Sequence, residues 1–195
     1  SADLFVNRIT NYNPVTADNL KKMTNNITSL TENILPGEKI DCVVYGCTSG
    51  TIVSGYDSIK KKINIAKPDA LVTAPSTAAL NALKKKNIKK ISIVTPYIKS
   101  VNDDVVNFFK NNDFKISSNT YFNIESDVDI GKVDQDQLFE ILSKIDHKDA
   151  EALFVSCTSL PVLNIIEKLE KKLSMTVLSS NQALILSLIH ISEPT

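Results

Sequence analysis

Hydrophobic residues follow two alternating patterns along the chain. Apolar positions three and four residues apart indicate amphipathic helices, and short continuous apolar runs indicate strands covered on both faces. The first helix follows Thr16, a favourable N-cap residue, and ends before Pro36 and Gly37. The predicted helices cover residues 16–34, 52–63, 76–86, 101–111, 134–145, 162–173 and those from 181 onward. The predicted strands cover residues 4–9, 40–45, 70–73, 90–95, 114–118, 152–156 and 176–179.

The strict alternation of strands and helices predicts an α/β fold. Strands that are joined through helices run parallel, and the helices then cover both faces of the sheet. No low-complexity linker interrupts the chain, so the pattern fits either one sheet or two α/β lobes in tight contact. A length of 195 residues is sufficient for a large buried core.

Composition and charge exclude several classes of protein. The 22 Lys and Arg residues balance 22 Asp and Glu residues, so neither a nucleic acid nor an anionic membrane surface is an expected partner. Two His, five Gly and three Cys supply no metal cluster, phosphate-binding loop or disulfide framework. No apolar run is long enough for a membrane span. We therefore expect a cytoplasmic protein without a metal site.

Both ends of the sequence look unnatural. The chain begins at Ser1 and reaches the apolar stretch Leu4-Phe5-Val6 almost at once, which suggests that an upstream segment is missing. Residues 186–195 resemble the translation of a sequencing adapter, and we expect them to be a non-native tail. A genuine amphipathic C-terminal tail is the alternative.

An internal repeat carries the candidate chemistry. Residues 41–49 (DCVVYGCTS) match residues 151–159 (EALFVSCTS) class for class, at an offset of 110 residues. Each copy reads as an acid, any residue, three apolar residues, a small residue and then Cys-Thr-Ser. Each Cys therefore comes at the carboxyl end of a buried strand and just before a helix, which is the edge where open α/β sheets bind their ligands.

Thiols at such positions are candidates for reactivity. The free N–H groups at a helix N-terminus favour the thiolate, so we expect the pKa of Cys47 and Cys157 to lie below the usual value of about 8.5. The hydroxyls of the following Thr and Ser residues add donors for a carboxylate. The alternative is that the cysteines are inert core residues, and this is the preferred interpretation for Cys42, which lies inside a strand.

Four ordered motifs resemble the aspartate/glutamate racemase superfamily, and within it the branch of maleate cis-trans isomerases and arylmalonate decarboxylases. Residues 45–51 (YGCTSGT) and 156–161 (SCTSLP) resemble the two catalytic-cysteine motifs of that branch. Residues 94–97 (VTPY) are similar to the segment with the substrate-contacting Tyr, and residues 179–183 (SSNQA) to the segment that closes the first lobe. The resemblance extends from Leu4 to about Leu184.

The resemblance implies two pseudo-symmetric Rossmann-like lobes, each a mostly parallel sheet flanked by helices, with the active site in the cleft between them. The first lobe would comprise residues 1–95 and 176–185, without the family's N-terminal strand, and the second lobe residues 96–175. The family's chemistry needs no cofactor and acts on a small carboxylate. A homo-oligomer such as a dimer is compatible with this expectation.

The same resemblance implies roles for individual residues. In the isomerases, one cysteine adds as a thiolate to the double bond of maleate, and rotation and elimination then give fumarate; in the racemases, the two cysteines exchange an α-proton across opposite faces. Cys47 is thus expected to be the nucleophile or base and Cys157 its partner. The expected substrate-binding residues are Thr48, Ser49, Tyr97, Asp127, Thr158 and Ser159.

Two departures from the family pattern affect the choice of substrate. Asp127 falls where the maleate isomerases are expected to have a carboxylate-binding Asn, and a negative charge there favours a substrate with an ammonium group. The motif around Cys157 (SCTSLP) contains no His, unlike in glutamate racemases, and the decarboxylase keeps only one cysteine. Maleate isomerisation is therefore the leading hypothesis, and racemisation of amino acids or hydantoins is the second. A non-catalytic carboxylate-binding module and a redox sensor are further alternatives.

Overall fold

The strands of the chain pair into two separate sheets in which every pairing is parallel. The computed structural model describes residues 3–192. The smaller sheet consists of β1 (Cys42–Val44) and β2 (Leu71–Thr73). The larger sheet has the order β4-β3-β5-β6, with β3 at Lys90–Thr95, β4 at Lys115–Tyr121, β5 at Ala152–Val155 and β6 at Thr176–Ser179.

Helices connect the strands and cover both sheets. They are α1 (Ala17–Met23), α2 (Ile27–Glu32), α3 (Thr48–Ser54), α4 (Tyr56–Ala66), α5 (Pro75–Lys85), α6 (Lys99–Lys110), α7 (Asp127–Gly131), α8 (Gln135–Lys144), α9 (Ile166–Leu173) and α10 (Ser180–Ser192). Short 3-10 turns at Thr24–Asn26 and Leu163–Ile165 precede α2 and α9. The predicted α/β class with parallel sheets is confirmed. Within residues 3–192, no helix has both the length and the hydrophobicity that a membrane crossing requires.

Burial on both faces explains why the central strands could be predicted from the sequence. All four residues of β5 are inaccessible to solvent, and β3 buries every residue after Lys90. Such strands need apolar side chains at consecutive positions rather than at alternate ones. The apolar runs at 90–95 and 152–156 therefore correspond to real strands.

The predicted strand at residues 4–9 is wrong. The segment forms no strand in the structure, and Leu4 has 84% of its surface exposed. An apolar run becomes a strand only when a neighbour supplies hydrogen-bond partners, and residues 4–9 pair with neither of the two sheets.

Two predicted helices are each divided in two, and one short helix was not predicted. The stripe at 16–34 is interrupted by the 3-10 turn, where the Thr24 hydroxyl donates to the carbonyl of Lys21 at 2.8 Å. The helix predicted at 52–63 belongs to α3 and α4, which meet at Gly55 with a φ of +80°, a conformation that favours glycine. Helix α7 was missed because its five residues include only one buried side chain, Ile130.

The sheets and the predicted lobes divide the strands differently. The lobe boundaries had placed β3 and β6 in the first lobe, whereas hydrogen bonding joins both strands to β4 and β5 in the four-stranded sheet. Strand β3 pairs with β4 and β5 on its two sides, and β6 pairs with β5. Both strands therefore belong to the larger sheet. The boundaries at residues 95 and 175 stay a prediction.

The predicted non-native tail continues a helix. Helix α10 extends through Ser192 and packs on α5, and the hydroxyls of Thr73 and Ser187 lie 2.8 Å apart. Residues 193–195 lie outside the described part of the chain. A helical conformation does not reveal the origin of a segment, so the non-native tail stays a prediction.

An aromatic cluster holds the larger sheet against α6. Phe109 is fully buried, and its ring centroid lies 5.7 Å from that of Phe114 and 5.0 Å from that of Phe154. Edge-on and tilted ring pairs of this kind contribute stability beyond the area that they bury.

We predict that Phe109→Ala lowers the free energy of unfolding by about 3–5 kcal/mol, because it leaves a cavity between α6 and β5. The measurement is urea denaturation followed by circular dichroism. Ile141→Ala on α8 is the control, since Ile141 is 46% exposed and should cost about 1 kcal/mol or less. Equal losses for the two variants would contradict the prediction.

Candidate active site

One cavity of about 300 Å³ brings together all of the residues that the sequence singled out. The predicted site residues in its lining are Cys47, Thr48, Ser49, Tyr97, Asp127, Cys157, Thr158 and Ser159. They come from four parts of the chain and meet beyond the carboxyl ends of β1, β3 and β5. Their individual roles stay a prediction.

Cys47 is the N-cap residue of α3. Its sulfur accepts a hydrogen bond from the Gly50 N–H at 3.2 Å, and the Ser49 hydroxyl lies 3.9 Å from the same sulfur. The position at a helix N-terminus is as predicted, but the predicted direction of the pKa shift is wrong. Burial raises the pKa of Cys47 to about 11, which outweighs the lowering by the Gly50 and Ser49 hydrogen bonds.

Cys157 follows β5 and has an unusual backbone. Its φ is +107°, a region that L-amino acids rarely adopt, and only 4% of its surface is exposed. The expectation that a helix begins just after Cys157 is wrong: the helix predicted at 162–173 consists of the 3-10 turn at Leu163–Ile165 and then α9, which begins at Ile166. Burial raises the pKa of Cys157, while the Tyr97 hydroxyl and the N–H groups of Ser159 and Leu160 lower it. The N–H groups of this loop thus stabilise the Cys157 thiolate, as the N–H groups of a helix N-terminus were expected to do.

Tyr97 links the two thiols through its hydroxyl. It lies just beyond β3, is 2% exposed, and interacts with the Cys157 thiol and the Ser49 hydroxyl. Burial, followed by the proximity of both sulfurs, raises the pKa of Tyr97 well above its usual value. The phenol therefore remains a hydrogen-bond donor over the whole range in which proteins are stable.

Hydrogen bonds between the two Cys-Thr-Ser motifs hold the cavity walls together. Ser180 Oγ accepts from Thr48 Oγ1 at 2.9 Å and from the Cys157 N–H at 3.0 Å. Thr158 Oγ1 donates to the Gly46 carbonyl at 2.9 Å. The hydroxyl protons of Thr48 and Thr158 are thus donated to protein acceptors. Their predicted role as carboxylate donors stays a prediction.

Asp127 places a negative charge in the cavity. It is the first residue of α7 and accepts a hydrogen bond from Ser159 Oγ at 2.9 Å. Its charge contributes to raising the pKa of both Cys47 and Cys157. Arg8 is the only cationic side chain among the described lining residues of the cavity.

Sequence reasoning missed two residues that contribute to the site. Ser180 lies in the 179–183 motif but was not assigned a role, and the internal repeat gives no signal for it. Tyr45 also lines the cavity, and it occupies the position of Val155 in the second copy of the repeat. The difference between the two copies of the repeat, a Tyr in the first and a Val in the second, could have drawn attention to Tyr45.

The arrangement suits chemistry by two thiols on one small molecule. The sulfurs of Cys47 and Cys157 are near enough to influence each other's ionisation, and both line a cavity of small-molecule size. Cys42 is a free thiol in β1 and does not line this cavity. Among residues 3–192, no group of three His, Cys, Asp or Glu side chains is placed to hold a metal ion.

Comparison with known proteins finds maleate isomerases and an arylmalonate decarboxylase among the relatives of the chain. The chain is 25% identical over 175 residues to a maleate isomerase from Geobacillus stearothermophilus, which covers 85% of this chain and 69% of that protein. It is 22% identical over 151 residues to a maleate isomerase from Nocardia farcinica, with coverages of 73% and 60%. The match thus spans roughly two thirds of the length of these relatives.

Solved structures confirm the two-lobe fold. A Nocardia farcinica maleate cis-trans isomerase mutant with a covalently bound succinylcysteine intermediate superposes with a TM-score of 0.84, at 19% identity, over 92% of this chain and 76% of that chain. The sequence profile of the arylmalonate decarboxylase family matches residues 54–194, which is most of the chain. With two α/β lobes around a cavity that holds both cysteine motifs, the chain belongs to the arylmalonate decarboxylase family.

Proposed function

We propose that the chain is a cofactor-independent isomerase that converts maleate to fumarate through a Cys47 thiolate adduct. The observation that carries this proposal is the presence of two thiols, Cys47 and Cys157, in the lining of one cavity of about 300 Å³. Maleate, with two olefinic carbons and two carboxylates, fits such a volume. The three cysteines are free thiols, as a reducing compartment would keep them, so we place the enzyme in the cytoplasm.

The relatives support this reaction. Maleate isomerases recur among the proteins with similar sequences, and a structural relative carries a covalently bound succinylcysteine intermediate. A succinyl group on sulfur is the product expected when a thiol adds across the double bond of maleate. The same covalent step in this chain requires one sulfur that attacks and one group that supplies a proton.

The two thiols can carry the complete reaction. The Cys47 thiolate forms a C–S bond at one olefinic carbon while the π electrons move to the other carbon, which takes the proton of Cys157. The former double bond is then single and rotates. The Cys157 thiolate takes its proton back, the C–S bond breaks, and fumarate forms as the Cys47 thiolate leaves. No electrons are gained or lost overall, so the scheme needs no redox partner.

The electrostatics of the site set the pH dependence of this scheme. Only the thiolate attacks, and burial holds the pKa of Cys47 at about 11 in the unliganded chain. The attacking form is therefore scarce at neutral pH and increases as the pH rises towards that value. The N–H of Gly50 and the hydroxyl of Ser49 are the groups that stabilise the anion once it forms.

Asp127 favours a second candidate function, the racemisation of an amino acid. Its carboxylate lines the cavity, where it would repel one carboxylate of maleate but attract an α-ammonium group. Cys47 and Cys157 would then act as a base and an acid on opposite faces of the α-carbon. The two functions use the same thiols and differ in the substrate.

We predict that the chain converts maleate to fumarate, as followed by proton NMR in D₂O, and that Cys47→Ser and Cys157→Ser each lower the rate by more than about a hundredfold. Cys42→Ser is the matched control, because Cys42 lies outside the cavity, and it should retain the full rate.

Other results of this experiment would redirect the assignment. Unchanged maleate together with loss of the α-proton signal from aspartate or glutamate in D₂O would support the racemase. Equal activity of the Cys47→Ser variant and the unmodified chain would overturn both functions.

We also predict that Asp127→Asn speeds the alkylation of Cys47 by iodoacetamide at neutral pH by about two- to threefold, a modest change because Asp127 is the smallest of the contributions to the Cys47 pKa. Removing the negative charge lowers the thiol pKa and so raises the thiolate fraction. Peptide mass spectrometry, which distinguishes Cys47 from Cys42 and Cys157, follows the modification over time. Asp129→Asn is the control, since Asp129 lies in the same helix but is exposed and does not line the cavity. A slower reaction of the Asp127→Asn variant would contradict the electrostatic interpretation.

A further inference from the structure

Tyr45 has a buried hydroxyl without a hydrogen-bond partner at the edge of the candidate active site. Only 6% of its surface is exposed, and its side chain lines the cavity. Six other buried side-chain N or O atoms in the described part of the chain also lack partners, but none of their residues lines this cavity. Burial without a hydrogen bond costs stability, so the unpaired hydroxyl of a residue that lines a cavity is a natural donor for a ligand.

The backbone fixes where this hydroxyl can reach. The Tyr45 N–H donates to the Thr73 carbonyl at 3.0 Å, and the Cys47 N–H donates to the Tyr45 carbonyl at 3.0 Å. Tyr45 thus continues the ladder of β1 and β2, and the turn after it sets the position of Cys47.

The Tyr45 hydroxyl and the Cys47 sulfur converge on Gly50. A Cβ atom at Gly50 would lie 2.8 Å from Tyr45 Oη and 2.9 Å from Cys47 Sγ. Any larger residue would therefore displace one of them. Because Gly50 in the first turn of α3 has no side chain, the Tyr45 hydroxyl can lie near the Cys47 thiol. The hydroxyl forms no hydrogen bond with that thiol.

The resulting site has one phenol for each thiol. Tyr97 interacts directly with Cys157, and Tyr45 stands beside Cys47 with its proton still available. The two pairs lie at the ends of different sheets. Tyr97 lies outside the internal repeat, whose second copy has Val155 at the position of Tyr45. The Tyr97 hydroxyl forms hydrogen bonds with protein side chains, whereas the Tyr45 hydroxyl forms none.

We infer that Tyr45 is a substrate-binding residue whose hydroxyl donates a hydrogen bond to the substrate carboxylate next to Cys47. This inference rests on the proposed function, because it assumes that a carboxylate lies there. The donor supplies an attractive interaction for a carboxylate in a cavity to which Asp127 adds a negative charge, and it holds the olefinic carbon within reach of the sulfur.

Tyr45 holds its proton rather than transferring it. Burial, and then the proximity of Cys47, raise the pKa of the phenol far above neutral pH. The contribution of Tyr45 should therefore be the same at every pH at which the protein is folded, unlike that of the thiols.

The test compares Tyr45→Phe with Tyr56→Phe. The Tyr56 hydroxyl donates to the Val72 carbonyl at 2.7 Å and lies outside the cavity, so this control loses a hydrogen bond within the protein. Two quantities are measured: kcat/KM for maleate, and the dissociation constant for succinate, a dicarboxylate without a double bond, by calorimetry. Thermal unfolding of each variant shows whether the fold is kept.

Tyr45→Phe should weaken succinate binding and lower kcat/KM about tenfold to a hundredfold, as expected for a lost hydrogen bond to a charged group. The ratio to the unmodified chain should not change with pH, and the melting temperature should not fall. Tyr56→Phe should melt earlier and keep both functional quantities. Unchanged succinate affinity and unchanged turnover in Tyr45→Phe would overturn the inference.

Failure of the proposed function would be recognised separately. If the unmodified chain binds succinate but leaves maleate unchanged, the isomerase assignment fails. The effect of Tyr45→Phe on succinate affinity then still decides whether this residue binds a carboxylate.

Discussion

A single buried hydroxyl joins the two halves of the site. Ser180 Oγ accepts one hydrogen bond from the motif that follows β1 and another from the motif that follows β5. Because Ser180 opens α10 directly after β6, its own position is set by the larger sheet. The smaller sheet is thereby held at a fixed distance from the larger one. The Thr158–Gly46 hydrogen bond and the contact between the Thr73 and Ser187 hydroxyls add to this tie between the two parts of the molecule.

Enclosure between two sheets also determines the chemistry of the sulfurs. Water is the best solvent for a thiolate, and its removal raises the pKa of both cysteines despite the amides that point at them. The resting site is thus expected to hold two neutral thiols rather than a reactive anion. This state protects the sulfurs from adventitious oxidation, which begins at the thiolate. The anion is required only while a substrate occupies the cavity.

Much of the fold could be predicted because its central strands, β3 and β5, are buried on both faces. The predicted strands overlap all six strands found within residues 3–192, and the run at 4–9 failed because a strand also needs a partner, which local sequence does not show. Two predicted helices are divided in the structure, one by a 3-10 turn and one at Gly55. The sequence did not show these breaks because the spacing of the apolar residues continues across them.

The site was partly predictable for a related reason. The internal repeat identified both cysteines and their hydroxyl neighbours, because repeated chemistry is visible in sequence. Ser180 was not visible, since its partner Thr48 lies 132 residues away. Tyr45 looked like one more apolar residue of a strand. The direction of the thiol pKa shifts depends on how completely the sheets enclose the sulfurs, and that is a property of tertiary packing.

The backbone at Cys157 carries a consequence for any attempt to make this protein more robust. A side chain at a φ of +107° costs on the order of 1–3 kcal/mol, which glycine would avoid. Replacement by glycine would relieve the main chain and remove the second sulfur in the same step. Thermal stability and catalytic activity therefore place opposite demands on residue 157. Selection for stability alone would favour variants that have lost the reaction.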